Sequence, residues 1–185
     1  ALGLLLVEAG GRTARLFSGQ HPAYQRITSE FNSHLAVHRD QFVRTGLVFQ
    51  AILHAQPLHL TYLSQIPAYQ ETGFLSRRLL RWQPELILNL PKGLGVLPFI
   101  VPGTDQLMQA SVEALRTYNL IVWSKHGVMA RSAESVLKGC DCIEYIETAA
   151  RYELLNLQHG EAAPGLTPAE VAEIAATYHV KQDLF

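Results

Sequence analysis

Cysteine is scarce in this chain: its 185 residues include only Cys140 and Cys142. They stand two apart in a stretch of helical periodicity, so their side chains point to different faces and neither a disulfide nor a paired metal site is expected. Both read as buried structural thiols in a reducing cytoplasm. Net charge is nearly absent, because 15 Lys and Arg stand against 16 Asp and Glu to give −1. That balance leaves no basic footprint for a nucleic acid. Long apolar runs are missing too. Leu4 to Val7 is ended by Glu8, far short of the roughly 20 residues that a membrane helix needs. The first residues lack an initiator Met and the basic, apolar and small-residue layout of a signal peptide. A soluble cytoplasmic protein is expected, with no membrane or nucleic-acid partner. Because Ala1 to Glu8 reads as beginning in mid-strand, the chain is expected to be the remainder of a longer protein.

What is present is a core. Hydrophobic residues make up 48% of the chain and charged residues 17%, which suits one compact domain over residues 1–185. Leu4 to Val7 and Ala14 to Phe17 flank Gly10-Gly11-Arg12 and suggest a hairpin. Thr28-Ser29-Glu30 opens a helix with Phe31, Leu35 and Phe42 near helical spacing and Ser29 as its N-cap. Leu47 to Leu53 reads as a buried strand ending in His54, and Pro57 as the first turn of a helix that Pro67 stops. Glu71 to Trp82 reads as a helix whose Arg77, Arg78 and Arg81 form a solvated face or a subunit contact. Glu85 to Leu90 reads as a strand ending at Pro91. Thr104 caps a helix through Tyr118, and Leu120 to Trp123 is a strand buried on both faces. Ser132 begins a long helix to about Leu157 with Val136, Leu137, Cys140, Ile143, Ile146 and Tyr152 along its apolar stripe. Thr167-Pro168-Ala169-Glu170 forms a capping box that opens the last helix. Strands interleaved with helices point to an α/β class, a layered α/β/α arrangement with a central sheet flanked by helices.

Two segments carry the chemistry. Leu90 to Asp105 is dense in Gly and Pro, and Asn119 to Val128 is an apolar run that ends in His126-Gly127. His54 and His126 each follow an apolar strand closely, where open α/β sheets place ligands. A catalytic zinc site takes about three protein ligands and keeps one position open, and imidazole is a common choice. The alternative for each is a hydrogen-bonded histidine at a strand end. Glu30 stands in a first helical turn with His34 four residues on, hence on the same face; it is a candidate metal ligand or proton carrier, with helix-dipole complementation as the alternative. Glu85 is either a functional carboxylate or an exposed strand-edge charge. His59 lies five residues after His54, a spacing that neither a strand nor a helix turns into a ready chelate. His21, His38, His159 and His179 read as bystanders.

These residues resemble the class II aldolase/adducin family, and within it the rhamnulose-1-phosphate aldolases. The resemblance runs from about Ala1 through the last helix, and its most specific parts are Pro91 to Asp105 and Val122 to Val128. It implies a single class II aldolase-like domain lacking its N-terminal part. It also implies a zinc-dependent aldehyde-lyase, other divalent metals being possible, that cleaves a ketose 1-phosphate to dihydroxyacetone phosphate and L-lactaldehyde. By this resemblance Thr28 and Ser29 help hold the substrate phosphate, Glu30 is the acid/base beside the metal, and Glu85 serves proton transfer. His54 and His126 match two of three zinc histidines. The family's paired His-x-His reads here as His54-Ala55-Gln56, so either Gln56 keeps the third position or His59 supplies it. A pentulose-phosphate 4-epimerase or a non-catalytic adducin-like module is the rival reading, and a homotetramer is implied.

Overall fold

A computed structural model describes residues 3–8, 10–11, 13–18 and 27–185. Arg12, expected in the hairpin turn, and His21 lie outside the described residues. The hairpin itself is present: β1 (Gly3–Val7) pairs antiparallel with β2 (Ala14–Ser18). The remaining elements are α1 (Phe31–Thr45), β3 (Ala51–Ala55), α2 (Leu58–Leu63), a 3-10 turn at Pro67–Gln70, α3 (Thr72–Leu80), α4 (Pro84–Asn89), β4 (Gly95–Leu97), α5 (Asp105–Thr117), β5 (Leu120–Trp123), β6 (Gly127–Ser132), α6 (Val136–Gln158) and α7 (Pro168–Thr177).

Four strands form a mixed sheet in the order β3-β6-β5-β4. β4 runs parallel to β5, and β6 runs antiparallel to both β5 and β3. Alternation along β5 sends Leu120 and Val122 to one face and Ile121 and Trp123 to the other. Ile121, Trp123 and Met129 pack with Val37 of α1 and Leu107 and Leu115 of α5. Leu120, Val122, Val128 and Ala130 join the larger core formed with α2, α3, α4, α6 and α7. The α/β/α layering expected from the sequence is thus present. No described helix is long and apolar enough to cross a membrane.

Several elements differ from the sequence expectation. Glu85 to Leu90 is not a strand: Pro84 starts the helix α4, and Glu85 sits exposed in its first turn. Pro in the first helical turn loses no hydrogen bond, which tips a short apolar run toward helix. Gly127–Ser132 is a strand, and α6 begins only after Ser135, whose side chain accepts from the Lys138 N–H. The stripe that α6 buries runs through Gly139, Cys142, Ile146, Ala149, Ala150, Glu153 and Asn156, leaving Val136, Leu137 and Cys140 exposed. Ser29 does not cap α1; that position falls to Glu30, without a side-chain cap. Strand β3 is shorter than expected, and Pro67 opens a 3-10 turn rather than closing α2. The caps at Thr104 and Thr167, with the Glu170 capping box, are as expected.

The arginines of α3 also read differently in three dimensions. Glu153 on α6 is fully buried. It accepts hydrogen bonds from Tyr69, Arg78, Arg81 (3.1 Å) and Trp82 (2.9 Å). Burial alone would raise its pKa, but these four donors outweigh it and hold the carboxyl below its ordinary value. A buried carboxylate with every lone pair engaged locks α3 against α6, and Arg78 and Arg81 are its partners rather than a solvated face. Removing one member leaves the others desolvated and unpaired. Glu153→Ala is expected to cost about 3–5 kcal/mol in chemical denaturation, whereas Arg15→Ala, at an exposed pair with Glu8, should change stability by less than about 1 kcal/mol.

Candidate active site

The pairing of β3 with β6 decides where His54 points. His54 lies opposite Met129 in the register, so its side chain emerges on the same sheet face as Met129 and Trp123, toward α1. His126 enters from the other side of the same corner, in the turn between β5 and β6. That turn is held at three places: the Ser124 N–H and hydroxyl donate to the Leu97 carbonyl (3.1 and 2.6 Å), the Lys125 N–H donates to Ser64 Oγ (2.8 Å), and the His126 N–H donates to the Trp123 carbonyl (2.9 Å). Lys125 adopts a left-handed backbone at φ 68°, a strained conformation for a non-glycine residue.

The two imidazoles meet there. Their ring centroids are 5.0 Å apart in an edge-on arrangement, and the Trp123 ring lies 4.8 Å from His54 and 5.1 Å from His126. Trp123 is itself fixed, donating from Nε1 to Ser111 Oγ at 2.9 Å. His54 Nδ1 lies 2.9 Å from the Val128 carbonyl. With the proton on Nδ1 the ring donates to that carbonyl and keeps its Nε2 lone pair for a ligand. Nδ1 of His126 is buried without a hydrogen-bond partner. Burial and the neighbouring His54 hold the His126 pKa below its ordinary value, Glu30 opposing them. The His126 ring is therefore held toward its neutral form, the form that binds a metal.

Glu30 is the third element. It is buried although charged. Its carboxylate accepts from the Gly103 N–H (3.2 Å) and the Ser29 hydroxyl (3.3 Å), while its own N–H donates to Thr28 Oγ1 (3.2 Å). The Gly/Pro-rich loop singled out in the sequence thus has a local task. Gly103, at φ 74°, makes the turn before α5 and offers its N–H to Glu30, and a side chain there would meet the Ser29 carbonyl. Asn32 closes the same junction by donating to the Gly103 carbonyl at 3.1 Å. His34, one turn on from Glu30, belongs to this neighbourhood: burial first, then His54 and His38, lower its pKa against the opposite influence of Glu30.

Two expected residues stand apart. The His59 ring is 2.7 Å from Glu147 of α6, which also accepts from the His59 and Leu60 N–H groups and so closes the start of α2. Glu85 stands exposed on α4, a helix packed against α6 and α7. Thr28 and Ser29 are exposed beside Glu30.

The donor set suits two positions of a divalent cation. Two imidazoles bound about 2 Å from one tetrahedral zinc have ring centres about 5 Å apart, which is the separation between His54 and His126. Among the described residues, no three His, Cys, Asp or Glu side chains are disposed to hold one ion. Glu30 influences the charge of His126 without completing such a trio. Trp123, Ser64 and Gly127 are the supporting residues that sequence reasoning gave no role. Gly127 carried a signal as the glycine that directly follows His126, and Trp123 as the end of an apolar strand, whereas Ser64 carried none.

Comparison with known proteins shows the family. Residues 4–154 match the Class II Aldolase and Adducin N-terminal domain. The rhamnulose-1-phosphate aldolase of Bacteroides thetaiotaomicron is 25% identical over 153 residues, 83% of this chain and 56% of that protein. The rhamnulose-1-phosphate aldolase of Escherichia fergusonii is 30% identical over 184 residues, 90% of this chain and 65% of that protein. A sugar-phosphate aldolase from Thermotoga maritima superimposes with a TM-score of 0.69 at 30% identity, covering 82% of this chain and 62% of that one. The chain therefore spans between about half and two thirds of the length of these relatives.

Two outcomes are expected. A Cβ at Gly127 would lie 2.5 Å from the Ala55 carbonyl and 3.3 Å from His54 Cε1. Gly127→Ala should therefore push β3 from β6, cost about 1–3 kcal/mol and separate the imidazoles, visible as a lower melting temperature and a shift of the histidine ring NMR signals. The lowered pKa values of His34 and His126 mean that the unfolded chain takes up protons first on acidification. Stability should be level above about pH 6.5, the ordinary histidine value, and fall as the pH drops below it, read as the thermal midpoint of metal-free protein across that range.

Proposed function

Because the chain belongs to the class II aldolase and adducin family, we propose that it catalyses a retro-aldol cleavage of a ketose 1-phosphate of the rhamnulose 1-phosphate type, giving dihydroxyacetone phosphate and L-lactaldehyde. The observation that supports this reading most is the meeting of His54 and His126 beside the buried carboxylate of Glu30. The two imidazoles would hold a divalent cation, zinc by family resemblance, which would supply Lewis acidity at the substrate's ketose end.

The chain's own residues do the rest. In the cleavage direction the C4 hydroxyl loses its proton, the C3–C4 bond breaks, C4 leaves as the aldehyde, and C3 gains a proton. Glu30 is assigned the proton that C3 receives. Its two oxygens are already oriented by Gly103 and Ser29, so it reaches the carbon from a fixed direction and acts as acid/base rather than as a ligand. Thr28 and Ser29, exposed beside Glu30, are assigned to the substrate phosphate. Glu85, to which the family resemblance gives the proton of the C4 hydroxyl, stands exposed on α4 apart from this corner, and an undiminished cleavage rate in Glu85→Gln would remove it from the proposal. Trp123 excludes water from one side of both rings and keeps them from turning. The relatives' oligomeric habit, a homotetramer by family resemblance, and a cytoplasmic setting complete the proposal.

Glu30→Gln should lower the cleavage rate by about 10²- to 10⁴-fold, the usual worth of a general acid/base, while leaving the fold and the bound metal content unchanged. Exhaustive chelation should abolish cleavage and added metal restore it. Coupled detection of dihydroxyacetone phosphate measures both. Conversion of a pentulose phosphate to its 4-epimer without carbon–carbon cleavage would replace the proposal with the epimerase reading.

A further inference from the structure

We infer that the side-chain amide of Gln56 is the third protein donor to the cation, so that the site is built from two imidazoles and one neutral oxygen. This rests on the reading above that His54 and His126 hold a divalent ion. A site of that kind takes about three protein ligands and leaves one position for substrate. No third His, Cys, Asp or Glu among the described residues is placed to serve. Two nearby candidates are already committed. His59 is pinned by Glu147, which holds both its ring and its backbone, and Glu30 is engaged by Gly103 and Ser29.

Gln56 is in the right place. It follows Ala55, the last residue of β3, two positions after His54, and residues two apart along an extended chain share a face. Its position is also marked through Gly127. A Cβ at that glycine would meet the Ala55 carbonyl at 2.5 Å, Gln56 Cγ at 3.2 Å and His54 Cε1 at 3.3 Å. The glycine that directly follows His126 is thus flanked at once by His54 and by the stem of Gln56. Gln56 is exposed at this corner of the sheet rather than packed into the core.

The choice of amide has a chemical consequence. A carbonyl oxygen is a harder and weaker donor than imidazole, better suited to Mn²⁺ or Mg²⁺ than to Zn²⁺. The site should therefore hold zinc less tightly than a three-imidazole site and discriminate less between zinc and manganese. Gln56 is in this sense the residue that sets metal preference.

Isothermal titration of the chelator-stripped chain with Zn²⁺ and with Mn²⁺ tests this, using wild type, Gln56→His, Gln56→Leu and His54→Ala, each checked for fold by circular dichroism. Gln56→Leu is expected to weaken both ions at least about tenfold, the lower end of what even supporting groups contribute to a metal site. Gln56→His is expected to tighten Zn²⁺ by a similar factor and to widen the gap between Zn²⁺ and Mn²⁺. If wild type and Gln56→Leu bind equally while His54→Ala loses the ion, the role of Gln56 is overturned and the metal reading stands. If wild type binds neither ion, or binds no better than His54→Ala, the metal reading itself fails and this inference with it.

Discussion

The site depends on one close approach, that of the Ala55 carbonyl to the α-carbon of Gly127 where β3 meets β6. Only a residue without Cβ can occupy that position, because any side chain would begin 2.5 Å from the oxygen. The contact fixes the register in which His54 faces Met129 and Ala55 faces Val128. Register in a sheet is all or nothing with respect to faces. A slip of one residue would turn His54 away from Trp123 and α1 toward the larger core and leave His126 alone. The imidazole pair is a property of strand pairing before it is a property of either histidine.

The two faces of the sheet divide the work. The face toward α2, α3, α4, α6 and α7 carries most of the buried aliphatic side chains and the Glu153 network. The face toward α1 and α5 has a smaller core whose members include Trp123, and the polar groups of the site gather at its edge. A buried ion pair is poor evidence of net stability, since its desolvation cost is large. Glu153 with four donors instead gives α3 a single orientation on α6, and α2, which begins on Glu147 of that same helix, inherits it. Ser64 at the end of α2 then holds the Lys125 N–H in the turn that presents His126. A chain of named contacts thus runs from the scaffold layer to the site.

Much of this was legible in the sequence where a local rule operates. The Thr104 and Thr167 caps, the double-faced apolar strand at Leu120–Trp123 and the two histidines at strand ends follow from side-chain chemistry within a few residues. The misreadings share one cause, which is that tertiary context decided between two locally acceptable states. Glu85 to Leu90 is short and apolar enough for either strand or helix, and Pro84 tips it to helix. Gly127–Ser132 hides a buried strand because it contains Arg131, whose Nε is satisfied by the Leu115 carbonyl, a partner that no periodicity reveals. Glu153 lies on the buried stripe of α6, where a pattern of apolar residues alone leaves a carboxylate on the wrong side. The pairing of Glu147 with His59 is likewise a contact between elements 88 positions apart.

The turn that carries His126 is prepared before any ligand arrives. A non-glycine residue in the left-handed region costs about 1–2 kcal/mol, and Lys125 bears that cost. Against it stand the hydrogen bonds to the Leu97 carbonyl, Ser64 Oγ and the Trp123 carbonyl, each worth about 0.5–1.5 kcal/mol net. Their sum matches or exceeds the strain, so the strained conformation is the stable one in the folded protein. On the opposite strand the Val128 carbonyl fixes the tautomer of His54, and Trp123 flanks both rings with its own nitrogen anchored. Neither imidazole must reorganise to receive an ion. A cation bound at this corner, as proposed, would not have to order the two side chains, so its binding energy would be available for affinity and for polarising a substrate.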